Sequence, residues 1–448
     1  MKTLKYFLYF LSGLLVLSIC LIVPVNRTPY QELPIYEEMT LRLDSLESTR
    51  PKPQKGDSLF IGFGKMSITP SDTVPLAGYG ARDPMEYDQI VDSIFVRTLV
   101  LDNGVKKVAI LSADLLIIHP DLERAFRREL KDIGWKREDV FLGATHSHSS
   151  IGGWAEGFAG ELFAGSYHPD MIERIAGAMV KSLLIAEQNT KPTEMGFVSN
   201  ELGDLVRNRL FKGGDEDDWM RHLFFRTDKG TISLSAFSAH ATCFSSKNRN
   251  LSGDFPSYFH QTLARDSTHE FSLYMAGAVA SMGPEGEGRN QEKAKRIGES
   301  MAQQIPLLKM LGFVGTNSVA LEAFRIKVPM RSPQMKISKN LKMRPWIFRS
   351  LFGYYPVEVS VLKVGDNLML GFPCDFSGEL AIPLYEYAKT KNLNLIITSF
   401  NGGYAGYVTK DEWYDLEKYE TRTMNWYGPD SGAYFSEIAT RIIDILAE

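Results

Sequence analysis

The sequence predicts an α/β (mixed) protein, with mixed β-sheets and hairpins covered by helices, preceded by one N-terminal transmembrane helix. Three observations predict it: apolar strands paired across glycine-bearing turns, helical apolar spacing between those pairs, and an unbroken apolar run near the N-terminus. The chain has 448 residues, 44% hydrophobic and 23% charged, which is enough to bury a large core. A net charge of -4 with interspersed signs offers no basic face for a phosphate backbone, so nucleic acid is excluded as a partner. Nothing in the chain points to a protein partner.

Tyr6 to Val25 is apolar throughout, follows Lys2 and Lys5, and is long enough to cross a bilayer. Residues 1–25 are therefore expected as an uncleaved signal anchor. The alternative is a cleaved signal peptide, but Leu21, Ile22 and Val23 continue the run where a cleavage site needs small residues. The lysines place the N-terminus in the cytoplasm and the rest outside it, as a single-pass protein of a bacterial envelope. Residues 26–57 turn to Pro, Glu, Arg and Ser, as in Arg50-Pro51-Lys52-Pro53, and are expected as a stalk before a folded domain over 58–448. Three cysteines form no disulfide framework, although Cys243 and Cys374 can pair in an oxidising compartment.

Within the domain, Phe95 to Leu101 and Val108 to Ser112 flank Asn103-Gly104, a dipeptide suited to left-handed turn geometry, and predict a hairpin. Leu122, Ala125, Phe126, Leu130 and Ile133 recur at helical spacing between Pro120 and Gly134. Val140 to Gly143 reads as a short buried strand. A second hairpin joins Leu223–Phe225 to Ile232–Phe237 through Asp228-Lys229-Gly230, and a third spans Val357 to Phe372 around Gly365-Asp366. Helices are expected over Met171–Glu187, Glu292–Leu308, Gly378–Lys389 and Phe435–Ala447. Hairpins alternating with helices argue against a doubly wound parallel sheet.

Several strand ends carry residues capable of chemistry. His146 and His148 follow the Val140 strand two residues apart, so in an extended segment both imidazoles face one metal or one substrate; otherwise they are loop histidines at the surface. His240 ends the Ile232 strand, where a lone histidine serves equally as a hydrogen-bonded core residue. Asp375 follows Leu368 to Pro373 and is either an active-site carboxylate or the N-cap of the next helix. Asn401 to Tyr407 is either a site loop or a glycine turn with surface tyrosines.

Taken in order, these segments resemble one family. Ala144-Thr145-His146-Ser147-His148-Ser149 is similar to the Ala-Thr-His-Thr-His-Ser motif of the neutral ceramidases, preceded by a similar Ser112-Ala113-Asp114. Val206-Arg207-Asn208-Arg209 resembles Ser-Arg-Asn-Arg, and Phe372 to Ser377 resembles Pro-x-Glu-Phe-Thr. Asn401 to Thr409, Tyr419-Glu420 and Tyr427-Gly428-Pro429 resemble the closing motifs, so the likeness runs from about Phe60 to Pro429. The resemblance implies a catalytic domain that cleaves the N-acyl amide of ceramide or a related lipid with a zinc-activated water. It implies Zn²⁺ held by His146, His240, Asp375 and Tyr407, with His148 and Arg209 holding substrate and stabilising the oxyanion and Tyr419 also in the active site. Aspartate stands at 375 where the family has glutamate, which shortens that arm by one methylene. Gly283, in Ala280-Ser281-Met282-Gly283-Pro284, stands where the family motif Gly-Asp-x-Ser-Pro has serine. The C-terminal immunoglobulin-like domain of the larger members has no counterpart after Pro429.

The partners expected are therefore a lipid or other small amide substrate and, through the N-terminal helix, a membrane. Lys342, Arg344 and Arg349 interleave with Trp346, Ile347, Phe348, Leu351 and Phe352 as in a membrane-contacting segment, or else as in a buried hairpin arm. Two other functions compete: a zinc hydrolase of a non-lipid amide or ester, such as a cell-wall or glycan fragment, and a surface binding protein that has lost turnover.

Overall fold

The computed structural model describes residues 5, 6, 9, 20–83, 85–311 and 315–447. Eight strands form one sheet: β1 (Leu59–Ser67), β2 (Phe95–Asp102), β3 (Lys107–Ala113), β4 (Val140–Ala144), β5 (Lys191–Glu201), β6 (Trp219–Arg226), β7 (Thr231–Phe237) and β8 (His269–Ala276). Their order is β8-β7-β6-β5-β1-β2-β3-β4, parallel at the two outer pairs and antiparallel between. A second sheet has the order β9 (Leu321–Lys327), β10 (Glu358–Val364), β11 (Asn367–Phe372) and β12 (Asn394–Ser399). The three expected hairpins are all present. The left-handed residues Gly104 and Gly365 lie in two of their turns.

The sheets stack face to face, as strand periodicity requires. Along β2, Leu99 and Leu101 enter the core between the sheets with Phe225 of β6, Leu362 of β10 and Met369 of β11, whereas Val96 and Val100 face helices. α4 (Pro169–Gln188) packs on that face of β2 and is backed in turn by α2 (Pro120–Asp132), while α1 (Pro34–Thr49) precedes both in the chain and the short α3 (Phe158–Ala164) lies between them. Further along, α5 (Asp254–Leu263) and α6 (Gln291–Leu311) cover Phe224, Phe237 and Tyr274. After α7 (Pro345–Phe352), the outer face of the second sheet is covered by α8 (Gly378–Thr390) and α9 (Ser431–Ala447). The result is a mixed α/β sandwich of helices on sheet on sheet on helices, as expected.

The N-terminal expectations need correction. Most of the anticipated span Tyr6–Val25 lies outside the described residues, but its end does not. Ile22–Pro24 forms a strand paired antiparallel with Leu341–Met343. Among the described residues no helix is long and apolar enough to cross a membrane. Residues 26–57 are not an extended stalk either, because Tyr30, Met39 and Leu43 join the main core, while Arg50 pairs with Glu322 at 2.9 Å. The polar composition of this segment conceals an apolar stripe. Cys243 and Cys374 are buried, free thiols rather than a pair.

Candidate active site

The site is assembled where β4, β7 and β11 end. β4 stops at Ala144, and His146 adopts a left-handed conformation (φ 60°), so the segment turns rather than running on extended. The two histidines still converge, with Nε2 atoms 3.0 Å apart. The ring of His146 stacks on Phe400, centroids 3.9 Å apart, and Phe400 is itself left-handed (φ 66°). Two such side chains in contact mark backbone conformations that only a well-determined surrounding maintains. His240 arrives from the end of β7. Asp375 lies in a two-residue strand paired in parallel with Tyr407–Val408, which sets Asp375 directly beside Tyr407.

Every one of the three imidazoles is oriented by a main-chain carbonyl. Nδ1 of His146 lies 2.7 Å from Leu116 O, that of His148 3.0 Å from Gly78 O, and that of His240 2.7 Å from Val279 O. A carbonyl oxygen only accepts, so each Nδ1 carries the proton and each Nε2 presents a lone pair. Burial, with the neighbouring His240, pushes His146 down to about 3, and burial also holds His148 and His240 well below the ordinary histidine value. All three are therefore neutral at physiological pH, the form that binds metal.

Asp375 is fully buried, and burial raises its pKa. Tyr404 donates to its Oδ2 at 2.6 Å, but Oδ1 accepts no hydrogen bond. That oxygen sits 3.3 Å from His240 Nε2 and 3.6 Å from His146 Nε2. The N-cap alternative for Asp375 fails, since Ser377 occupies that position before α8. Tyr407 Oη is 3.1 Å from His240 Nε2 and 3.2 Å from Nη2 of Arg209. Arg209 is in turn held by Ala280 O, 3.0 Å from its Nε, and by Glu420 at 3.1 Å. Burial opposes its charge, but Tyr407 and Glu420 outweigh burial and raise its pKa.

Neutral lone pairs facing one another at 3.0 Å and a buried carboxylate oxygen without a hydrogen-bond donor make an electron-rich centre whose donor set suits a metal cation. His146, His148 and His240 can together hold a metal ion, and Asp375 and Tyr407 add oxygen donors at the same place. Tyr419 stands at the rim, its ring 5.9 Å from that of Tyr407 and half exposed. All seven residues expected at the site are thus brought together. Sequence reasoning attached no role to Tyr404, Phe400 or Glu420, although Tyr404 and Glu420 belong to quoted motifs. Ser281 is directed away from the centre, into a buried cluster with Ser377 and Glu379.

Above the centre opens a pocket walled by Leu116, Ile117, Trp154, Phe163, Phe352 and Met424. Such a centre, at the floor of an apolar pocket on a mixed α/β sandwich, can hold a metal ion beside a hydrophobic ligand. Residues 59–286 match the model of the neutral/alkaline non-lysosomal ceramidases, N-terminal part, and the chain belongs to that family. The neutral ceramidase of Mycobacterium tuberculosis is 22% identical over 217 residues, which cover 44% of this chain and 34% of that protein. This chain thus spans about a third of that relative. The neutral ceramidase of Pseudomonas aeruginosa has a similar fold, with a TM-score of 0.73 at 18% identity over 86% of this chain and 75% of that one. A ceramidase complexed with C2 is similar to the same extent, with a TM-score of 0.73 at 17% identity and the same coverage. The family match contains both ends of β4 and β7 but stops before Asp375, Tyr407 and Tyr419, which the fold supplies from the C-terminal third.

Proposed function

We propose that the chain is a zinc-dependent amidohydrolase that cleaves the N-acyl amide bond of ceramide or a related lipid. The observation that carries this is the orphaned Asp375 Oδ1 among neutral Nε2 atoms at the floor of an apolar pocket. The edge of a tetrahedron of zinc ligands with ~2.0–2.1 Å bonds is about 3.3 Å, close to the separations of Asp375 Oδ1 from His240 and His146. His146, His240, Asp375 and Tyr407 would hold the ion, with His148 beside them oriented toward the substrate. Bound there, zinc supplies the Lewis acidity that makes water nucleophilic near neutral pH and polarises an amide carbonyl.

The chain's own groups do the rest. Arg209, fixed by Ala280 and Glu420, offers its guanidinium beside Tyr407, where negative charge on the carbonyl oxygen would develop, a contribution of ~3 kcal/mol for one such donor. His148 orients the amide, and Tyr419 covers the rim. The pocket, about 70 Å³ in volume, has apolar walls that suit the first carbons of an acyl or sphingoid chain and give a polar glycan fragment few partners, which favours the lipid over a non-lipid amide. Zinc content and fatty-acid release from a fluorescent ceramide test the proposal. His146→Ala and His240→Ala should each lose both, and undiminished zinc in either variant would refute the ligand set. Zinc without turnover in the wild-type chain would instead favour a lapsed binding protein. The apolar run behind Lys2 and Lys5 supports an extracytoplasmic setting, which protease added to intact cells would test.

A further inference from the structure

The geometry points to a docking face for a lipid bilayer around the mouth of the pocket, formed by α3 and α7. The two helices pack together, and both line the pocket, α3 through Ala159, Gly160 and Phe163 and α7 through Phe352. Their outer sides are apolar and open to solvent: Phe158 is 66% exposed and Leu162 41% on α3, while Trp346 is 59% exposed on α7 and Tyr354 79% just after it. Single exposed apolar residues are common on protein surfaces, but four large ones on and just after two packed helices that both line the pocket call for a partner. Tryptophan and tyrosine are suited to the boundary between headgroups and acyl chains.

Two further features select a bilayer over a protein. The apolar N-terminal run ends at this face, because the carbonyl of Leu21 accepts from the amide of Arg344, immediately before α7, at 3.0 Å. Beside Tyr354 there is also a cleft of about 850 Å³ where Arg127, Lys327 and Arg349 have no ion-pair partner among the described residues, against one acid in the same position, Glu138. That surplus positive charge fits anionic headgroups. The inference rests on the lipid substrate proposed above, since such a substrate must leave a bilayer to enter the pocket.

The test uses the full chain with vesicles of phosphatidylcholine and phosphatidylglycerol carrying brominated acyl chains, which quench tryptophan only at close approach. Trp346→Phe, which keeps the surface apolar, should lose at least half of the lipid-dependent quenching of the wild type. A Phe158→Ser, Tyr354→Ser double variant should hydrolyse a vesicle-borne N-acyl substrate at least tenfold more slowly, while its rate on a water-soluble short-chain amide stays within twofold. Equal quenching in the wild type and Trp346→Phe, or equal loss on both substrates, would overturn the docking face. A change of oligomeric state in the double variant with unchanged quenching would overturn it in favour of a second copy. If the wild type hydrolyses neither amide, the substrate proposal fails and the quenching comparison still decides the docking.

Discussion

Asp375→Asn separates the cost of the site from its use. The Asp375 carboxylate is fully buried, with Tyr404 on Oδ2 and no protein donor to Oδ1. A buried acceptor left unpaired costs about 1–3 kcal/mol, and more when charged. Asparagine has the same shape, keeps an acceptor for Tyr404, removes the buried negative charge, and places an amide N–H 3.3 Å from His240 Nε2, where it competes with Tyr407 Oη. With chelator present, the variant should therefore be about 1–3 kcal/mol more stable than the wild type. Zinc should act in the opposite sense. Replacing a ligand carboxylate by an amide should weaken binding by at least ~100-fold, so the stabilisation gained on adding saturating zinc should be smaller in the variant by ~2.7 kcal/mol. Denaturant unfolding of both proteins in chelator and in zinc measures all four quantities. Equal gains from zinc in the two proteins, or a less stable variant in chelator, would refute the assignment of Asp375 as a ligand.

Ser281→Ala should retain at least about a tenth of wild-type turnover, a barrier change below ~1.4 kcal/mol, because its hydroxyl serves the buried cluster with Ser377 and Glu379. A thousandfold loss with zinc retained, or an acylated Ser281 found by mass spectrometry, would establish a seryl mechanism instead. Gly283→Ser should fold with stability within ~1 kcal/mol of wild type, since an added Cβ meets nothing nearer than Arg209 Cβ at 3.8 Å. It should also lower KM for ceramide without altering zinc content, and a raised KM would count against a recognition role for that position. His222, remote from the metal-binding residues, is fully buried between Ser235 and Asn200, and burial pushes its pKa down to about 3. Its folded pKa lies below the unfolded ~6.5, so the unfolded chain takes up the extra proton and stability falls as pH drops from about 6.5 toward 3. Over the first 1.5 pH units this contributes ~2 kcal/mol, a slope that His222→Gln should remove from unfolding curves measured at pH 6.5 and 5.

What the sequence made legible was whatever repeats locally. Turn glycines and periodic apolar residues located the three hairpins and five of the helices to within a few residues, because those signals are set by neighbours in the chain, but α3 and α5 were missed. The stripe of Ile35, Met39, Leu43 and Leu46 carries the same helical signal in the N-terminal segment, but there a Pro- and Glu-rich composition favoured a stalk. The site residues came from motif order, while their arrangement did not. The parallel pairing that sets Asp375 beside Tyr407 joins residues far apart in sequence, and the left-handed turn at His146 replaced the extended path that His-x-His spacing suggests. The acceptors behind the histidines are carbonyls of Leu116, Gly78 and Val279, whose side chains give no hint of that role.

Because those acceptors belong to the main chain, no side-chain substitution deletes them outright. Mutational drift can widen or narrow the apolar walls, replace a rim tyrosine or change what docks at the mouth, while the tautomers of the three histidines remain as the backbone sets them. The centre is therefore insulated from much of the variation that would alter substrate choice. On the function proposed above, a lineage built on this scaffold could exchange one hydrophobic amide for another by substituting wall residues alone, without having to rebuild its donors for a metal.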